Sequence, residues 1–206
     1  MQAYKLTRPD GRSFHDGRTK WQVGKTVRIW RKASRRARLC GPGILHACPN
    51  PNDCFVGASI PCRAFLVEGE PVTDDGSKFG FHALKVVDEI TDLDALFGWR
   101  YSEAINPVHP FRLPSPQVGE DELALLREWD SVWASVRDSV RDSVWAYIGS
   151  LFPDIKRWGY LKTSTGSYPF ASGEKLWRMG LVPSFDGKLW RLHGGSDGRV
   201  LWQGIP

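Results

Sequence analysis

Five residues able to ligate a metal or move a proton crowd one short stretch of this 206-residue chain: Cys40, His46, Cys48, Cys54 and Cys62. Thiolates with neutral imidazole are a donor set that suits zinc. On a strand, His46 and Cys48 stand two residues apart and share a face, which would bring two ligands together. The spacing C-x5-H-x-C-x5-C-x7-C contains no C-x2-C knuckle. The expected state is therefore reduced, buried thiols with no bound metal. No G-x-S-x-G, P-loop or G-x-G-x-x-G sequence occurs, so nucleophilic or phosphate-cradle chemistry has no motif to rest on. The glycine-rich run Gly194–Gly198 reads as a hairpin turn.

A second kind of chemistry is electrostatic. Residues 1–40 hold twelve Lys or Arg against two Asp, a net charge of +10, while the whole chain carries +5. The remainder is thus mildly acidic, and the amino-terminal part suits an acidic partner, nucleic acid or an acidic protein. The candidate phosphate contacts are Arg28, Arg31, Lys32, Arg35, Arg36 and Arg38. Aromatic residues beside basic ones recur at Trp30-Arg31-Lys32, Arg157-Trp158, Trp177-Arg178 and Trp190-Arg191. Such pairs can stack bases while neutralising phosphates. The commoner arrangement is a core ring with a charged surface neighbour.

The elements that must position these residues follow from periodicity and turn chemistry. Ala3–Thr7 and Trp21–Trp30 read as strands, and 41–48 as a turn entering a strand. Asn and Asp caps place a short helix at Asp53–Ala58. Arg63–Val67 reads as a buried strand, and Phe79–Ile90 as one strand or two. Pro107, Pro110, Pro114 and Pro116 mark 104–118 as a linker or extended crossover that divides the chain. Residues 120–150 carry a helical pattern with a tandem tetrapeptide, Trp129–Val132, Trp133–Val136, Arg137–Val140 and Arg141–Val144. A four-residue step turns each row by about 40° around a helix, so Val132, Val136, Val140 and Val144 form one broad apolar stripe. That stripe needs covering, either within the chain or by a second copy. Beyond residue 160 the sequence reads as strands, with a hairpin from Phe185 to Gln203.

These readings give an α+β fold: a small split-sheet α/β head at 1–92, a proline-rich linker at 93–118, a long repeat-bearing helix at 119–159 and a β-hairpin-rich tail at 160–206. A 41% hydrophobic, 25% charged composition is that of a globular chain. No apolar run is long enough to cross a bilayer and Met1–Phe14 has no signal-peptide core, so the cytoplasm is the expected location.

Trp21–Ile90 resembles a phage-associated domain of unknown function, through Trp21–Lys25, Cys40, Gly43–Cys48 and Val67–Gly69. The second half is similar to phage proteins in which W-D-S-V tracts precede a segment like Trp177–Lys188. More distantly, Ile44–Cys48, Pro49–Gly57, Arg63–Glu68 and Asp74–Phe79 follow the order of one half of the ADP-ribosyltransferase fold, as in tRNA 2′-phosphotransferases. That resemblance implies NAD held in the cleft of a split sheet, with His46 near it and Glu89 as the catalytic carboxylate. The leading expectation is a phage or mobile-element accessory protein, without a cofactor, that binds an acidic partner through its head and self-associates through the repeat helix. The alternative is an NAD-dependent ADP-ribosyltransferase-like enzyme acting on nucleic acid or protein in a host cytoplasm.

Overall fold

Arg63–Glu68 (RAFLVE) buries Ala64, Phe65 and Val67 completely, as a strand with neighbours on both sides must. The computed structural model describes residues 1–29, 39, 43–135, 143–155, 158 and 167–206. It divides into two compact units, Met1–Phe97 and Gly98–Pro206. The first contains β1 (Gln2–Thr7), β2 (Thr26–Arg28), β3 (Leu45–Ala47), β4 (Arg63–Glu68), β5 (Pro71–Asp74), β6 (Phe79–Phe81), β7 (Ala83–Ile90) and α1 (Leu93–Phe97).

One sheet has the order β1-β4-β7-β2, the other β3-β6-β5, and every pairing in both is antiparallel. The two meet where Tyr4 and Cys48 exchange backbone hydrogen bonds of 2.7 and 3.0 Å. Their shared core holds Trp21, Phe65, Val67, Phe81, Leu84 and Val86. The chain is α+β, with small antiparallel sheets and helices, and among its described residues this first unit has one short α-helix and one 3-10 turn beside its strands.

Two local expectations change. Among the described residues of the expected Trp21–Trp30 strand, only Thr26–Arg28 pair as one. Gly24 adopts a positive φ of 79°, and Gln22–Lys25 closes a turn through Lys25 N–H donating to the Gln22 carbonyl. Trp21 instead plugs the core, and its Nε1–H donates to Ser13 Oγ at 2.8 Å. This anchors the 8–20 turn, which is further closed by Ser13 N–H bonding the Thr19 carbonyl. The helix expected at Asp53–Ala58 is a 3-10 turn over Pro51–Val56, capped by the Asn50 side chain, which accepts from Asn52 N–H at 3.0 Å.

The second unit contains α2 (Tyr101–Ile105), α3 (Glu120–Ser135), α4 (Ser143–Ser150), α5 (Ala171–Arg178), β8 (Val182–Phe185), β9 (Trp190–Gly194) and β10 (Arg199–Gly204). The three strands form an antiparallel sheet in the order β10-β9-β8. The first tetrapeptide lies in α3 and the end of the last in α4; Val136, Val140 and residues 137–142 lie outside the described residues. Leu126, Trp129, Ala146, Leu176, Leu181 and Leu192 build the core between the helices and the sheet.

Residues 104–118 are part of this unit and do not divide the chain; the division falls at 97/98. Prolines cannot give this segment a regular ladder, yet its backbone still needs partners. Aromatic side chains supply them: Val108 N–H donates to Tyr147 Oη at 2.9 Å, and Trp177 Nε1–H donates to the Val108 carbonyl at 2.8 Å. Tyr147 and Trp177 stack with centroids 5.7 Å apart, which fixes both groups in place. Among the described residues, no helix is long and apolar enough to cross a membrane.

Candidate functional site

β1 carries a lysine in the middle of a strand whose neighbours Leu6 and Thr7 are buried. Lys5 is half-buried, with Nζ 5.2 Å from the centroid of the Trp21 ring. It lines a cavity of about 260 Å³ in the first unit together with His15, His46, Cys48, Cys54 and Lys78. β1 supplies Lys5, β3 supplies His46 with Cys48 just beyond it, the 3-10 turn supplies Cys54, and the turn before β6 supplies Lys78. Asp53 is the acidic residue in this wall.

Burial and neighbouring groups shift Lys5, His46, Cys48 and Cys54. Burial lowers Lys5, and the two thiols and Asp16 oppose that shift. Burial, then Lys5, Lys78 and His15, push His46 down to about 4. The imidazole is therefore neutral near pH 7. A hydrogen bond from Cys54 lowers Cys48, assisted by Lys5 and Lys78 and opposed by burial and Asp53. The same bond, together with burial and the nearby Cys48 charge, raises Cys54. Cys54 Sγ also lies 3.3 Å from the Tyr4 carbonyl, to which its S–H can donate. The cavity can thus take an anionic group beside a sulfur nucleophile.

His46 gives a testable pH dependence. Unfolded, its pKa is about 6.5, and folded it is about 4. Between those values the unfolded chain binds more protons, so stability falls as pH drops through this window and is fully present above it. In an NMR titration the His46 ring signals should stay neutral down to pH ~5 and turn over near 4. A midpoint above 6 would contradict this environment.

The structure brings His46, Cys48 and Cys54 together, and it separates the other candidates. Glu89 does not line the cavity. It receives two hydrogen bonds of 2.6 Å from Arg63 Nε and Nη2, one strand over, and Arg63 holds its carboxyl below the usual range. The pairing of His46 with a catalytic Glu89 is therefore not assembled. Cys62 is buried just before β4 and does not line the cavity, and Cys40 lies outside the described residues. Among the described residues, no cluster of three or more His, Cys, Asp or Glu is arranged to hold a metal ion.

Of the basic candidates, Arg28 is exposed on the edge strand β2, whereas Arg31, Lys32, Arg35, Arg36 and Arg38 lie outside the described residues. Trp190 is buried and its Nε1–H donates to Asp130 Oδ1 at 3.1 Å. Trp158 packs edge-on against Tyr168 and Phe170. Trp190 and Trp158 thus pack inside the unit and are not free to stack bases; Trp30 and Arg157 lie outside the described residues. Val132 packs against the core of the second unit, and Val144 is half-buried beside Tyr147 in an apolar groove.

Lys5, His15 and Lys78 were not singled out by sequence. A lysine flanked by apolar residues in a strand is the one signal that could have found Lys5. In the second unit, Ser184 Oγ lies 2.8 Å from His193 Nε2, and His193 Nδ1 lies 3.1 Å from the Gly198 carbonyl. A carbonyl only accepts, so Nδ1 carries the proton and Ser184 donates to Nε2. The pair pins β8 to β9 and the turn beyond it. Comparison of the chain with protein-family models, with curated proteins and with solved structures found no match.

Proposed function

We propose that the first unit binds nucleic acid through its amino-terminal basic residues. The observation that carries this reading is a set of exposed cations, Arg18, Lys20, Lys25 and Arg28, which form no ion pair among the described residues. They stand on the Trp21-anchored turn and the edge strand, and they are followed in sequence by Arg31, Lys32, Arg35, Arg36 and Arg38. Cations of this kind gain affinity by releasing counterions from phosphates. They set position and carry no base preference. With Trp21, Trp129 and Trp190 committed to the cores, sequence-tolerant binding is the form this reading takes.

An acidic protein is the other partner such a surface suits, and it would compete with nucleic acid for the same residues. Self-association through the repeat helix would rest mainly on Val136, Val140 and Val144, because Val132 already packs in part against the core of the second unit. The NAD-dependent alternative has support from the place of His46 in the cavity and loses it at Glu89, which Arg63 occupies. A phage accessory role, which the tetrapeptide tract resembles, fits a non-specific nucleic-acid binder.

The test is fluorescence anisotropy of a labelled duplex titrated with the full chain. Binding should be measurable at 50 mM salt and weaken by roughly 10³–10⁵-fold by 200 mM. Absent binding at low salt, or an affinity indifferent to salt, would overturn the proposal.

A further inference from the structure

We propose that Cys48 and Cys54 form a reactive dithiol that exchanges with small anionic disulfides, Cys48 attacking and Cys54 resolving. This stands apart from nucleic-acid binding and rests on the geometry of the cavity. Both cysteines line one space of about 260 Å³, large enough to admit one arm of a small disulfide. The backbone holds them there: Cys48 is locked to Tyr4 by two hydrogen bonds, and Cys54 sits in the capped 3-10 turn, whose Gly57 N–H bonds its carbonyl. The Tyr4 carbonyl accepts from Cys48 N–H at 3.0 Å and lies 3.3 Å from Cys54 Sγ, which places the two cysteines within reach of each other. Lys5, Lys78 and His15 face the same space and suit the carboxylates of a peptide-like disulfide.

A buried thiol in apolar surroundings is inert. Cys48 is only 3% exposed, but its open side is this cation-lined cavity, and its thiol is held low by Cys54 and the two lysines. Cys62, also a buried thiol at 6% exposure, lacks the cavity and serves as an internal control.

The exchange balances as follows. The Cys48 thiolate attacks one sulfur of the disulfide, forms a Cys48–S–S–R bond and expels one thiolate, which takes up the proton that Cys48 gave up. Cys54 then loses its proton, attacks the Cys48 sulfur and expels the second thiolate, which takes up the Cys54 proton. The protein dithiol is oxidised by two electrons to a Cys48–Cys54 disulfide, and one small disulfide is reduced to two thiols.

The experiment treats the reduced full chain with glutathione disulfide and, separately, with the uncharged hydroxyethyl disulfide at pH 7, followed by trapping with iodoacetamide and peptide mapping by mass spectrometry. The expected product links Cys48 to Cys54, with Cys62 carboxamidomethylated only after unfolding. The anionic disulfide should react about tenfold faster than the neutral one once their intrinsic reactivities toward free cysteine are divided out. Cys54→Ser should stall as a glutathione adduct on Cys48, and Cys48→Ser should yield neither adduct nor link. A stable adduct on wild-type Cys48 with no link, a first adduct on Cys54 or Cys62, or equal rates with both disulfides would overturn the proposal.

Discussion

Replacing Trp129 with alanine is expected to destabilise the second unit by about 3–5 kcal/mol. Trp129 is 1% exposed and its indole lies against Gly173 of α5. The fit is close enough that a Cβ on Gly173 would stand 2.6 Å from the ring. α5 reaches α3 this closely only because a glycine faces a tryptophan. Truncation removes the largest ring holding α3 to α5, and Leu126, Leu176 and Ala146 cannot close the gap without moving whole helices. Trp145 occupies a similar place in the tetrapeptide pattern but is 57% exposed, so Trp145→Ala should stay within about 0.5 kcal/mol of wild type. Urea unfolding, followed through the transition of the second unit, measures both. Equal effects for the two variants would mean that α3 does not use Trp129 as its anchor.

That contrast shows where sequence was informative and where it was not. Gln2–Thr7, Arg63–Glu68 and the strands around Gly194–Gly198 were legible because apolar runs and Gly or Asp turns are local signals. The helical phase of the tetrapeptide was also legible at Trp129–Ser135, and Val132 does face a core. The proline-rich stretch was not. Its backbone partners, Tyr147 and Trp177, lie 39 and 69 residues away from Val108, and no local pattern announces them.

The site divides in the same way. His46, Cys48 and Cys54 are close in sequence and share a cavity, so their clustering could be read directly. Lys5 and Lys78 reach the same cavity from elements that pair through register, which composition does not encode. Glu89 was misjudged for a related reason. Its role is set by the β4–β7 register, which puts it opposite Phe65 and within reach of Arg63.

The largest functional effect is expected from the basic run. Converting Arg31, Lys32, Arg35, Arg36 and Arg38 together to alanine removes half of the net +10 of residues 1–40. Each phosphate contact contributes about 0.9 to the slope of log affinity against log salt. Five lost contacts should therefore flatten that slope by roughly 4–5 and weaken duplex binding about 10²–10³-fold near 0.1 M salt. A fold check by thermal melting should find both units intact, since Trp21, Phe65 and Trp129 are untouched. The decisive measurement is the salt slope of the five-alanine chain beside that of the wild type, on one duplex and in one buffer series. The account predicts a steep wild-type slope that falls by about half in the variant, with the remainder lost when Arg18, Lys20, Lys25 and Arg28 are also replaced. Equal slopes in the two proteins, or a flat slope in the wild type, would contradict it.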